Sequence, residues 1–297
     1  MDDTSQPSAD SSEPERPAAG PQLPLWPPEA KAPLAESSPP PEPGLEPPSE
    51  HGPFPDQPWT FTDLGVFILF AAVSFLIANL TATALFLLIE RGFGRMLRVE
   101  DIFALTPFIV FMQVIWEVLW FLFIYYTITV KYRRSFWQAI RWIRIPQRGT
   151  YYIGGGIVLA AIAQGVFSLF PSQKPLPIER LFTSAAAGYL LALFGICVAP
   201  FIEELVFRGY FYPVFERRWG FRWAVGLTAL LFALIHGPQL SGGVAELAAI
   251  FVVGLTLSYT RGKTGSLVPP YLMHLGYNAT LFISLYLTTD RFRALQG

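Results

Sequence analysis

Charge is scarce in this sequence. Asp, Glu, Lys and Arg make up 14% of its 297 residues, against about a quarter in soluble globular domains. With 52% hydrophobic residues and a mean hydropathy of +0.40, that scarcity excludes an ordinary soluble domain. Cysteine is nearly absent. Cys197 stands alone, which excludes an intrachain disulfide, and its apolar surroundings predict a small buried hydrophobe. The net charge is −1 and no basic stripe is interleaved with aromatics, so nucleic acid is not an expected partner. There are three histidines and no His-Glu-x-x-His zinc motif. The N-terminus has no basic segment leading into an apolar core, so it does not read as a signal peptide.

What is present falls into two unlike parts. Residues 1–58 hold 17 of the 27 prolines and 13 of the 43 charges, 11 of them acidic. Such a segment has too little apolar surface to offset its ordering entropy, so a disordered, Pro-rich acidic tail is expected. Residues 59–297 carry long apolar runs. A span needs about 20 such residues, which places candidates at about 62–89, 104–130, 151–170, 183–213, 223–237, 244–260 and 267–288. The expected fold is all-α, a polytopic membrane bundle of about seven to eight transmembrane helices. Lys and Arg concentrate in three connections: Lys131 to Arg148, Arg217 to Arg222, and Arg261 with Lys263. All three fall on one side if the spans alternate, which predicts a cytoplasmic tail and an outward C-terminus.

Ionisable residues inside a bilayer are costly and mark function by default. Here they cluster as Glu203-Glu204-x-x-x-Arg208, Phe232-x-x-x-His236 and His274-x-x-x-Asn278. The remaining histidine, His51, lies in the tail. Glu204 and Arg208 are i,i+4 neighbours in the favourable order. Glu203 is turned about 100° from Glu204 on a helix and cannot share that partner equally. His274 and Asn278 project from one face of their helix. If the chain reverses between Arg217 and Arg222, Glu203 and His236 both stand about 21 Å above the turn. His274 and Asn278 then rise roughly 16–22 Å from Lys263, provided Pro269 and Pro270 leave that path helical. Four polar side chains on three spans thus reach a common depth. The chemistry suited to them is hydrolysis: Glu203 and His236 can hold and deprotonate a water, and His274 and Asn278 can donate to an oxyanion. No cofactor is favoured, although Glu203, His236 and His274 supply enough ligands for a zinc ion. The plain alternative for any one motif is interhelical hydrogen bonding. That reading suffices for Glu117 with Gln113 one turn earlier. Gly154-Gly155-Gly156 and Gly188 predict close helix approach.

At these motifs the sequence resembles the CPBP family, the CAAX prenyl protease and bacteriocin-processing membrane proteins also called Abi or type II CAAX endopeptidases. Glu203 to Tyr210 match that family's EExxxR motif, Phe232 to His236 its FxxxH motif, and His274 to Asn278 its HxxxN motif. The resemblance covers about residues 180–290. It implies an intramembrane endopeptidase of glutamate or metallo type, acting on a peptide or protein at the membrane. It also implies that Glu203 and His236 activate water, that His274 and Asn278 form the oxyanion hole, and that Glu204 and Arg208 support them. A binding or immunity protein that keeps the fold without proteolysis is the alternative. A transporter is a third reading, but transporters usually show repeated halves, and none is visible.

Overall fold

The computed structural model describes residues 57–146, 148–169, 180–240 and 243–293. The tail inferred at 1–58 lies outside them except for Gln57 and Pro58. Gln57 is buried, its Nε2 donating to the Ala139 carbonyl at 2.6 Å.

Every described element is helical, with no strand among the described residues. Helix α1 spans Phe61–Gly92 and α2 spans Thr106–Tyr126, the latter running on as a π-helical turn, Thr127–Lys131. Helix α3 is Gly149–Leu169. A continuous stretch then runs as α4 (Ala185–Leu193), a π turn (Phe194–Val198), α5 (Ala199–Glu204), a second π turn (Leu205–Phe211) and α6 (Tyr212–Ile235). Helices α7 (Val244–Thr264) and α8 (Val268–Thr288) complete the bundle.

Five of these stretches are long and apolar enough to cross a bilayer: Phe61–Gly92, Thr106–Lys131, Gly149–Val166, Ala185–Ile235 and Val244–Thr264. The fourth has 51 residues, and a straight helix of that length would run for about 75 Å, over twice a membrane's hydrocarbon core. It does not stay straight. Gly220 adopts φ 80°, ψ 173°, a conformation open to glycine and not to residues with a Cβ. Phe207 and Phe232 meet edge to face with centroids 5.4 Å apart on either side of that break. The expected spans at 183–213 and 223–237 are therefore two limbs of one stretch that folds back at Gly220. The expected span at 267–288 is α8, 21 residues long. It falls outside the five because it carries Pro269, Pro270, His274 and Asn278 among its apolar residues. Its two prolines sit in the first helical turn, where a missing N–H breaks no ladder bond, so the path to His274 is regular helix.

The three basic connections gather at one end of the bundle. Arg141 Nε donates to the Gly265 carbonyl at 2.7 Å, and Leu267 N–H donates to the Arg141 carbonyl at 2.9 Å. Lys263 lies 5.3 Å from the Phe221 ring centroid. The start of α1 joins the same end, where Asp63 pairs with Lys131 and accepts from the Tyr132 hydroxyl at 2.7 Å. Arg217 donates to the Trp59 carbonyl there.

Helix α8 is pressed hardest against α3, and the glycines explain how. A Cβ added to Gly156 would collide with the Met273 carbonyl and come within 2.8 Å of the Tyr277 nitrogen, and one added to Gly276 would collide with the Ile153 carbonyl. Two backbones touch because neither residue has a side chain. Gly156→Ala is therefore expected to push α8 off α3 and destabilise the fold by about 1–3 kcal/mol. Thermal unfolding in detergent measures this, and an unchanged melting temperature would contradict the contact.

Candidate active site

The polar residues singled out by sequence lie on the fold-back stretch and on α8, and most of them converge. Glu204 and Arg208 are fully buried and paired, Arg208 Nη1 to Glu204 Oε1 at 2.9 Å. Arg208 spends its other donors on α7: Nε to Ser258 Oγ at 3.2 Å and Nη2 to the Gly254 carbonyl at 3.1 Å. Its guanidinium stands 4.3 Å from the Phe232 ring centroid, a cation–π contact that is strong where water is excluded. The Phe of the Phe232-x-x-x-His236 motif thus supports the cation while its carbonyl serves the histidine.

Both motif histidines are oriented through Nδ1. His236 Nδ1 lies 2.7 Å from the Phe232 carbonyl. A carbonyl only accepts, so Nδ1 carries the proton and Nε2 is left with its lone pair in the neutral ring. His274 Nδ1 lies 2.9 Å from Glu204 Oε1, the oxygen that also receives Arg208, so an ionised Glu204 again places the proton on Nδ1. Each Nε2 then faces Glu203, at 4.0 Å from His236 and 3.6 Å from His274. Among the described residues Glu203 pairs with no Lys or Arg, as its helical position predicts. The Glu203 and His236 side chains are 19% and 16% exposed, whereas His274 is 4% exposed. Access to the cluster is therefore from the side of Glu203 and His236.

Asn278 behaves differently from the sequence expectation. It lies one turn beyond His274, but its Nδ2 donates to the Gly195 carbonyl at 2.7 Å. An amide nitrogen has two hydrogens, so one is committed to backbone and the second is what remains for an oxyanion. The structure brings Glu203, His236 and His274 together and directs Asn278 at the chain next to them.

Other expectations fare unevenly. Gln113 Nε2 does donate to Glu117 Oε1, at 3.2 Å, in the interior of α2. Cys197 is exposed, not buried; an apolar run in a membrane protein faces lipid as readily as core. Ser258 and Gly254 escape sequence reasoning altogether. Their signal is two small residues one helical turn apart on α7, but nothing in the sequence assigns Arg208 to that face.

A zinc ion held by Glu203, His236 and His274 is the alternative chemistry. Anchored Nδ1 atoms are what metal-bound histidines show. Yet among the described residues no group of three or more His, Cys, Asp or Glu side chains is placed to hold a metal ion.

A buried carboxylate–arginine pair, a partly exposed second carboxylate and two oriented histidines thus form one polar centre inside the helical bundle. The family model for type II CAAX prenyl endopeptidases, Rce1-like, matches residues 184–280, a stretch that contains all three motifs. An uncharacterised 24.3 kDa protein of Escherichia coli is 34% identical over 125 residues, covering 39% of this chain and 56% of that protein. The UPF0177 protein YbdI of Lactococcus lactis is 30% identical over 133 residues, 43% of this chain and 70% of the relative. A second Lactococcus lactis protein, UPF0177 protein YaiF, is 23% identical over 180 residues, covering 60% of this chain and 78% of its own length. The chain therefore spans just over half the length of the Escherichia coli relative and more of the other two. No solved structure matches it. The chain belongs to the Rce1-like type II CAAX prenyl endopeptidase family.

The buried pair generates a direct expectation. Arg208→Ala leaves Glu204 charged, buried and unpaired, which costs roughly 3–5 kcal/mol. The variant should express poorly or melt well below the parent in detergent. A parental melting temperature would show that Arg208 does not hold the fold.

Proposed function

We propose that this chain is an intramembrane endopeptidase that hydrolyses a peptide bond of a membrane-associated substrate, a CAAX-type prenylated peptide or a bacteriocin-like one. The observation that carries the proposal is the pair of acceptors facing one another, the Glu203 carboxylate and the bare Nε2 of His236, 4.0 Å apart. That separation is too long for a direct hydrogen bond and suits a water held between them.

The reaction then uses each group once. The water oxygen attacks the scissile carbonyl carbon while Glu203 takes its proton and His236 Nε2 accepts the other hydrogen, orienting the lone pair. The carbonyl oxygen becomes an oxyanion. His274 Nε2 can donate to it only when the ring carries both protons, since Nδ1–H is already given to Glu204. In that state the four charges, Glu203 and Glu204 against Arg208 and His274, sum to zero inside the membrane. Asn278 adds its second amide hydrogen to the same oxygen. Glu203 returns the proton to the amide nitrogen as the C–N bond breaks, leaving an amine and a carboxylic acid that keeps the water's second proton. No step passes through a metal ion. Glu204 and Arg208 act by fixing the His274 ring.

The basic end of the bundle is assigned to the cytoplasm by its excess of Lys and Arg, which puts the entry to α1 there and the end of α8 on the opposite face.

Two measurements on the purified protein test the reading, with a farnesylated Cys-a-a-X peptide and an unmodified membrane peptide as probes. Glu203→Gln should abolish cleavage of whichever probe is cut while leaving the melting temperature within a few degrees of the parent. Turnover should also survive strong chelation. Full activity in Glu203→Gln removes that residue from the mechanism. Activity lost to chelation and regained with one equivalent of zinc replaces the metal-free route with a metal-dependent one.

A further inference from the structure

The dipeptide Glu203-Glu204 is bracketed by two π turns, Phe194–Val198 before it and Leu205–Phe211 after it. In each, the closing backbone bond reaches back five residues: Ala199 N–H to the Phe194 carbonyl, and Tyr212 N–H to the Phe207 carbonyl. In each, the next residue is a proline, Pro200 or Pro213. Continuing the same register, the Pro200 nitrogen would serve the Gly195 carbonyl and the Pro213 nitrogen the Arg208 carbonyl. Proline has no N–H, so both carbonyls lose their backbone donor, and a buried carbonyl without a donor is costly. Both receive a side chain from another helix instead: Asn278 Nδ2 reaches Gly195 O at 2.7 Å, and Arg261 Nε reaches Arg208 O at 3.1 Å.

The same device thus occurs on each side of the two glutamates. Its effect is rotational. A π turn places one extra residue in the helix, turning the residues beyond it by about 100° relative to an unbroken α-helix. Undoing the first turn would swing Glu203 away from His236 and His274. Gly195 belongs to the same fitting, since a Cβ there would come within 2.6 Å of the Phe282 ring on α8, so only glycine lets the π turn approach close enough for Asn278 to reach it.

We propose that Asn278 is a positioning residue for Glu203: its amide replaces the hydrogen bond that Pro200 cannot make to Gly195, and so holds the π turn that aims the carboxylate, with Arg261 doing the same for the turn beyond Glu204. This rests on the proposed function only for its consequence in turnover. The geometric claim stands without it, and it is separate from the donation of the second amide hydrogen to an oxyanion.

Cys197, the chain's one cysteine, lies exposed within the first π turn and offers a native reporter. A nitroxide on Cys197 of the full chain in lipid nanodiscs should show a more mobile spectrum in Asn278→Ala than in the parent. In a Pro200→Ala background, where residue 200 regains an N–H for Gly195, Asn278→Ala should leave the spectrum unchanged. The comparison is a double-mutant cycle, so any effect of Pro200→Ala by itself cancels. The same spectral change in both backgrounds, or none in the parent background, overturns the proposal. Failure of the parent protein to cut either the farnesylated or the unmodified peptide would instead count against the proposed activity and leave the spectroscopic result standing.

Discussion

The structure depends on a charge pair that could not exist alone in hydrocarbon. Glu204 and Arg208 are both wholly removed from solvent, and neither is tolerable there without the other. Their arrangement uses more than the pair. Glu204 Oε1 takes one donor from Arg208 and one from His274, while Arg208 reaches on to Ser258 and Gly254. One carboxylate and one guanidinium therefore tie together the fold-back stretch, α7 and α8. The His274 ring is fixed as part of that tie, so a stabilising interaction also sets how His274 faces Glu203.

Glu203 is free because Glu204 is not. Adjacent residues on a helix face about 100° apart, so one glutamate can be consumed by the scaffold while its neighbour faces two imidazole nitrogens. The exposures follow the same division, 0% for Glu204 and 19% for Glu203. The two carboxylates thus differ in kind, one dry and paired, one reachable.

Much of this is legible in the sequence, and the reasons for the rest are physical. Helical spacing points to the Glu204–Arg208 pair, and counting residues from the basic turn puts Glu203 and His236 at one depth, where the two stand 4.0 Å apart. Depth along a helix is a sum of rises and survives small irregularities. Rotation does not. Each π turn shifts the facing of every later residue by about a quarter turn, and no periodicity argument anticipates it. That is why the depth of Asn278 can be counted from the sequence while its target, the Gly195 carbonyl, cannot. Burial is also poorly encoded in an apolar run, because lipid and protein interior select the same side chains. The exposed Cys197, expected to be buried, is the result.

The proposed water activation requires that His236 keep a bare Nε2 facing Glu203, since without that lone pair no water is held for attack. The chain has three histidines, so nitrogen-15 spectra of the imidazoles in the labelled protein are sparse enough to assign with His51→Gln and His274→Gln variants. The expected spectrum shows His236 carrying its proton on Nδ1, hydrogen-bonded to the Phe232 carbonyl, with Nε2 unprotonated in the active protein. A His236 protonated on Nε2 alone would contradict it, because its lone pair would then point at a carbonyl and the space beside Glu203 would hold no second acceptor.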